Sequence, residues 1–374
     1  SEMCIRDRDK LEKPSDYNPL DFFQTGFNTM NSIAVSTGTE TNQTHISFGS
    51  VNSEGVIDNN KYNRYNFTFR NSWDIVKDVL SMDMGLFYIK QNNQNSNGQG
   101  MYYNPLVPVY LFPPSDDMNK YVVYERYDAD RNFKTQYWPY KNQGLGMQNP
   151  YWIINKNKFT NNLDRMIGNI TLTYKPIEGL TITNNAGTDF YTEGRRKVYA
   201  KGTVGALNGK FQTWNLYKRI INNDLMVSYE KTFANDYHFK VMMGHNLYQE
   251  EWKNENVQAQ NLVVDGLYTY TNAKSTTPVN YYEKKRLVGL YGDISLGYKD
   301  MLFVNVTGRN DWSSTLPINN RSYFYPSISG SFIFTELMEN KDILNFGKVR
   351  LSYANVGSDE DPVSYTHLTL PTIA

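Results

Sequence analysis

Gly308-Arg309-Asn310-Asp311-Trp312-Ser313-Ser314-Thr315-Leu316-Pro317 is the stretch on which the reading of the chain turns. Before it, Leu302, Val304 and Val306 fall on one side of an extended chain, and Asn305, Thr307 and Arg309 fall on the other. A period of two residues is that of a strand with one apolar and one polar face. Ser322-Tyr323-Phe324-Tyr325-Pro326-Ser327-Ile328 then reads as the returning strand of a hairpin.

Outward from this hairpin the same alternation recurs. It predicts about a dozen strands, over 31–37, 43–51, 62–72, 80–90, 158–174, 180–191, 212–229, 237–250, 281–298, 301–312, 322–334 and 346–357. The links alternate in length. Short ones fall at 38–42, 73–79, 175–179, 231–236, 299–300 and 335–345, and long ones at 52–61, 91–157, 192–211, 251–280 and 313–321. An antiparallel membrane barrel sorts its connections this way, with short turns at one end and long loops at the other. A soluble sandwich has no reason to.

Three strand ends share a pattern: Ile170-x-Leu172-x-Tyr174, Leu225-x-Val227-x-Tyr229 and Ile294-x-Leu296-x-Tyr298, each just before a short turn. The apolar residues would face lipid and the tyrosines would sit at the periplasmic water interface. Ordinary hairpins ending in Tyr are the alternative reading. The phase places Leu296 and Val304 toward lipid, with Ser295 and Asn305 toward the interior.

Composition agrees with this class. The chain has 374 residues, with 38 basic and 38 acidic side chains, so it shows no charge footprint for nucleic acid. It carries 30 Tyr, 19 Phe and 6 Trp, an enrichment that suits strands, interfacial girdles and sugar-stacking surfaces. No apolar run is long enough for a transmembrane helix, which does not bear on strands. Cys4 is the only cysteine, so no internal disulfide can form. The first nine residues and residues 362–374 resemble translated adapter sequence, as in Met3–Arg8 and Val363–Thr372, and are expected to be non-native tips. The expected organisation is therefore barrel over 10–361, without a signal peptide.

Gly308–Pro317, Lys348-Val-Arg-Leu-Ser-Tyr-Ala-Asn-Val-Gly357 and the lead-in Tyr17–Gly26 together resemble the SusC/RagA family of TonB-dependent outer-membrane transporters. The resemblance covers roughly 17–361. It implies an all-β antiparallel transmembrane barrel, part of a plugged barrel of about 22 strands. It also implies import of glycans, oligosaccharides or peptides across the bacterial outer membrane, driven by TonB, with a SusD-like surface lipoprotein as a lid. The plug and the TonB-contacting segment are not in this sequence. Rival readings are a passive porin or adhesin barrel, and a soluble carbohydrate-binding or hydrolytic β-protein.

The 91–157 connection is too long for a hairpin loop, and loops of that size are functional or disordered. Its aromatic and proline-rich part includes Tyr137-Trp138-Pro139-Tyr140 and Asn149-Pro150-Tyr151-Trp152. Either Trp138, Tyr140, Tyr151 and Trp152 stack on sugar faces or a partner, or they pack the loop's own small core. In the organising stretch, Arg309 and Asp311 share the face expected to look into the lumen. With Trp312 they would touch substrate or plug, or form a structural ion pair and an interfacial anchor.

No catalytic motif, cofactor-binding loop or metal-ligand spacing occurs. His238 and His245 lie an odd number of residues apart on one strand and so point to opposite faces. Asp128-Ala-Asp130-Arg-Asn132 starts like a calcium loop but lacks the sixth-position Gly, and Pro139 stands where the bidentate Glu belongs. It reads as a solvated acidic loop.

Overall fold

A computed structural model describes residues 15, 17–96, 102–140, 147–234, 236–338 and 344–357. Both suspected tips, including Cys4 and His367, lie outside these. All twelve expected strands are present, in one antiparallel sheet whose neighbours follow chain order. They are β1 (Phe27–Gly38), β2 (Asn42–Glu54), β3 (Lys61–Val76) and β4 (Leu80–Gln94), then the long loop and β7 (Lys158–Ile177) to β14 (Lys348–Ala354). Within the loop lie α1 (Leu106–Tyr110), a separate two-stranded hairpin of β5 (Glu125–Asp128) and β6 (Phe133–Gln136), and α2 (Pro150–Lys156). Between β7 and β14 run β8 (Leu180–Tyr199), β9 (Lys210–Phe233), β10 (Tyr237–Leu262), β11 (Ala273–Tyr298), β12 (Leu302–Ser313) and β13 (Ser322–Ile333).

Register makes the two faces explicit. Val241, Ile294, Val306, Ile328 and Tyr353 line up across β10 to β14 on one face. In the row beside it on the other face stand Lys240, Ser295, Asn305, Ser329 and Ser352. The second row is tied by polar contacts: Asn305 Nδ2 donates to Asp293 (2.6 Å) and Ser295 (2.8 Å). The first row has no such use for water. Ile294, Val306 and Ile328 are 44–50% exposed although apolar, as a lipid-contacting face requires. Leu296 and Val304 are register partners on this face, so the expected facing is the one found. Tyr174, Tyr229 and Tyr298 all lie on it at the short-turn end, where Tyr237 stacks 4.9 Å from Tyr298.

In the full-length protein, Ile294→Arg should lower barrel stability by about 2–4 kcal/mol, whereas Asn305→Arg on the polar face should cost much less. Denaturant titration of the folded, heat-modifiable species measures both. Equal losses would mean that the faces are reversed or that neither meets lipid.

The strands differ from expectation in length. β10 runs to Leu262 and β11 begins at Ala273, so the expected 251–280 loop shrinks to 263–272. β8 likewise continues to Tyr199. Above the membrane both faces of a strand can meet water, so polar runs such as Lys274-Ser-Thr-Thr277, exposed throughout, lose the alternation while the backbone ladder continues. Pro278 fits there because β12 reaches only as far as Leu287 on β11, leaving that edge without a partner to miss its absent N–H.

The sorting of the links survives. Residues 39–41, 77–79, 178–179 and 299–301 are tight turns, the Asp236 amide closes the short β9–β10 link on the Phe233 carbonyl (3.2 Å), and the β13–β14 link is longer in sequence on the same side. Lys299 and Asp300 both have positive φ, as the central pair of a turn closed by the Met301 amide on the Tyr298 carbonyl (3.0 Å) requires. The wall itself is one layer and encloses no packed core. The buried apolar clusters sit instead at the long-loop end, as Phe22–Ile57–Val109–Ile154, Phe112–Met118–Tyr121–Trp138 and Val198–Phe211–Ala259–Leu262. Among the described residues β1 and β14 each pair on one side only, so the sheet is an open part of a barrel.

Candidate functional site

The polar face of the wall carries a ladder of paired charges toward the long-loop end. Arg165 grips Asp189 with both Nε (2.9 Å) and Nη2 (2.5 Å). Lys218 meets Glu250 at 2.6 Å, and Tyr248 donates to the same carboxylate at 2.6 Å. Arg309 donates to Asp311 at 2.7 Å and lies 5.3 Å above the Tyr291 ring. Glycines make the room. A Cβ at Gly289 would stand 2.4 Å from the Arg309 guanidinium and 2.6 Å from the Asp311 carboxylate. At Gly244 it would strike the Tyr291 ring at 2.2 Å. Arg309 and Asp311 therefore face the lumen, as their parity predicts. Trp312 points outward, 40% exposed beside Val288, and does not join them.

The long loop is a folded unit. Asn149 and Pro150 begin α2 in the manner of an N-cap followed by an N1 proline, with Asn149 Oδ1 accepting from the amides of Tyr151 and Trp152. The rest of this fully buried side chain is also used: its Nδ2 donates to the carbonyls of Tyr121 (2.8 Å) and Tyr137 (3.0 Å). That amide pins three segments of the loop together. Trp152 is 1% exposed and its indole N–H reaches Thr203 (2.9 Å), tying the loop to the 200–209 connection. Trp138 is 3% exposed, packed edge-on against Tyr121 and Tyr140. Tyr151 is partly buried between the first two apolar clusters. Trp138, Tyr140 and Tyr151 are thus brought into one cluster while Trp152 is held against the 200–209 connection, and the two tryptophans present no free face to a ligand.

No pattern in the sequence singles out Asp116. It accepts from Tyr121 (2.6 Å), Tyr140 (2.9 Å), Lys120 (3.0 Å) and the amide of Asp117 (2.8 Å). Burial pushes this carboxyl up, but these donors outweigh it and hold it down at about 2. A folded-state value below the unfolded one stabilises the loop above the unfolded pKa, and that stability is lost as pH falls through about 4 to about 2. At 1.36 kcal/mol per unit this is about 2 kcal/mol. Proteolysis of the loop should rise over that window in the full-length protein, and Asp116→Asn should show the raised rate already at neutral pH. An unchanged rate in the variant would refute the assignment.

The other sites considered give no chemistry. His238 meets Glu230 on the polar face while His245 lies on the opposite one, as expected from their spacing. Asp128–Asn132 forms the turn of the β5–β6 hairpin, with Asp128 accepting from the Arg131 amide. Among the described residues no group of three or more His, Cys, Asp or Glu could hold a metal ion.

This geometry agrees with known proteins. No protein-family model matches the chain. It is similar to "TonB-dependent receptor P26" of Formosa agariphila, 21% identical over 338 residues, covering 87% of this chain and 32% of that protein. It superposes on the RagAB peptide importer in its closed-closed state with a TM-score of 0.72 at 17% identity, covering 95% of this chain and 40% of that one. The ferripyoverdine receptor of Pseudomonas aeruginosa matches at 0.54 and 14% identity, over 91% and 42%. The fold is that of an outer-membrane β-barrel of the TonB-dependent receptor type. This chain spans about a third of that curated relative's length, and the likeness to the RagAB importer accords with the SusC/RagA resemblance of its motifs.

Proposed function

We propose that the intact protein imports large polar nutrients, glycans or peptides, across the outer membrane in a TonB-dependent manner, and is not an enzyme. The observation that carries this reading is the pairing of two features in one chain. A lumen wall lined by hydrogen-bonded Arg, Asp, Glu, Tyr and Asn offers many exchangeable polar contacts, and a folded loop stands over its outer end. Arg309 and Asp311 contribute to that wall, Tyr140 and Tyr151 to the loop's accessible surface, and Trp138 and Trp152 hold the loop in shape. Trp312 anchors the outer interface. A SusD-like lipoprotein covers the loop side, as the SusC/RagA resemblance implies, and TonB engages residues outside this chain.

The test is uptake of labelled oligosaccharide and peptide mixtures by cells carrying the full-length gene, with TonB intact or deleted. Uptake that requires TonB and falls when Arg309→Ala and Asp311→Ala are combined supports the reading. Equal uptake without TonB would point instead to a passive pore, and no uptake of either class to an adhesin.

A further inference from the structure

A cavity of about 400 Å³ lies where the long loop meets the top of the wall. On the wall side it is lined by Phe159 of β7 and by Lys197 and Tyr199 of β8, which share the lumen parity of Arg165 and Asp189. On the loop side it is lined by Ile153, Ile154 and Asn157, from α2 and the residue that ends it. Ile57 of the β2–β3 link, Tyr103 and Pro105 complete it. Sites for small ligands have volumes of about 300–1,000 Å³, so this one has room for a single large side chain and the groups next to it.

Several of its polar groups are already used. Asn95 Nδ2 donates to the Ile154 carbonyl (3.4 Å), and its Oδ1 accepts from the Phe159 amide (2.9 Å). The Tyr103 hydroxyl donates to the Val204 carbonyl (3.2 Å), and the Asp58 carboxylate accepts from the Asn59 amide (2.8 Å). Two donors that line the cavity have no acceptor among the described residues. Asn157 Oδ1 accepts from Thr203 (2.9 Å), but its Nδ2 is buried without a partner. Lys197 forms no ion pair there, and its ammonium stands 5.1 Å from the Phe159 ring and 5.7 Å from the Trp214 ring. A buried donor without an acceptor is unfavourable, and an ammonium in a partly dry cavity attracts an anion more strongly than in water. The cavity is thus set for an acceptor that carries negative charge. Its aliphatic side chains offer a sugar ring nothing to satisfy its several hydroxyls.

We infer that the cavity takes the C-terminal residue of a peptide, its carboxylate on Lys197 and Asn157 and a large apolar side chain against Ile57, Ile153 and Tyr199. Charge-assisted hydrogen bonds of this kind are the strong ones, and they are made by a free carboxylate and not by an amide. The site narrows the import reading above, on which it rests, to peptide cargo. A chain leaving the cavity runs down β8 onto Arg195 and Glu193, which are paired at 2.7 Å on the same face. They offer polar partners to its amides and carbonyls along the wall.

The probes are a Gly-Ser tetrapeptide extended by a C-terminal Phe, the same peptide as its C-terminal amide, and one ending in Ser. Each is titrated calorimetrically into the full-length protein in detergent. The free acid ending in Phe should bind at least 10-fold more tightly than the amide, and at least 10-fold more tightly than the acid ending in Ser. Lys197→Gln should weaken the acid at least 10-fold and the amide less than twofold, a split that loss of structure would not give. A neutral glucose tetrasaccharide at equal concentration should not displace the acid. Equal binding of acid and amide, no binding of either, displacement by the tetrasaccharide, or an inserted K197Q protein that still prefers the acid would each overturn the assignment. Should K197Q fail to insert, the comparison of acid and amide on the unaltered protein decides the question. Transport is read separately: TonB-dependent uptake without a preference for the acid sinks this site and leaves import standing, and the preference without uptake does the reverse.

Discussion

Purified alone, the 374-residue chain should fail to give a conducting, heat-modifiable barrel in detergent or lipid. The reason is the pair of free edges. β1 offers 12 residues and β14 offers 7 with one side of the backbone unpaired. Every second residue turns its N–H and C=O toward that edge, so each edge exposes several groups. In hydrocarbon each unsatisfied group costs several kcal/mol, which sums to tens of kcal/mol. A domain's net stability is on the order of 5–15 kcal/mol, too small to absorb this. Electrophoresis with and without heating, together with planar-bilayer conductance, reads the outcome. A monodisperse species with a stable pore would show that the two edges find each other and that twelve strands suffice.

The second large effect belongs to the long loop. Trp152→Ala in the full-length protein should unfold that loop and leave the barrel inserted. Truncating a buried aromatic costs about 3–5 kcal/mol, and here it also removes the bond to Thr203. The loop's apolar core is small, so a loss of that size exceeds what local packing can replace. Hydrogen exchange should rise in 102–140 and 147–157 and stay slow in β9–β11. Excision of 96–156 with a short Gly-Ser link should likewise keep the barrel and reduce uptake. Loss of the barrel from the membrane in either variant would make the loop part of the wall's stability, and full uptake after excision would make it dispensable for import.

The contrast between wall and loop explains what could be read in advance. Lipid on one side and water on the other force an alternation that is written directly into β11 and β12 as Ile294, Leu296, Val304 and Val306 against Asp293, Ser295, Asn305 and Thr307. All twelve strands were legible for that reason. The alternation stops where lipid stops, so the upper reaches of β8, β10 and β11 were not legible. In the loop the signals were present but ambiguous. Asn149-Pro150 carries the chemistry of a helix start, yet among so many prolines and aromatics it reads equally as irregular chain. The burial of Trp138 and the Tyr140 hydroxyl that reaches Asp116 depend on contacts between distant segments, which no local pattern encodes. Parity alone put Arg309 and Asp311 on one face, as found, whereas Trp312, grouped with them as a candidate ligand contact, falls on the other face beside Val288.

The order of the strands has a kinetic side. Each wall strand pairs with its neighbour in sequence, and half of the ten hairpins close over two or three residues. β4 and β7 must instead meet across 95–157. Closing a flexible segment of that length costs about 2–3 kcal/mol more than closing a three-residue turn. The Asn95 amide donates to the Phe159 carbonyl (2.7 Å) and the Phe159 amide to the Asn95 side chain (2.9 Å), so the compact loop delivers its two ends already side by side. A loop that folds before insertion would turn the slowest encounter in the sheet into one more short hairpin, and assembly could then proceed strand by strand without a pause at its midpoint.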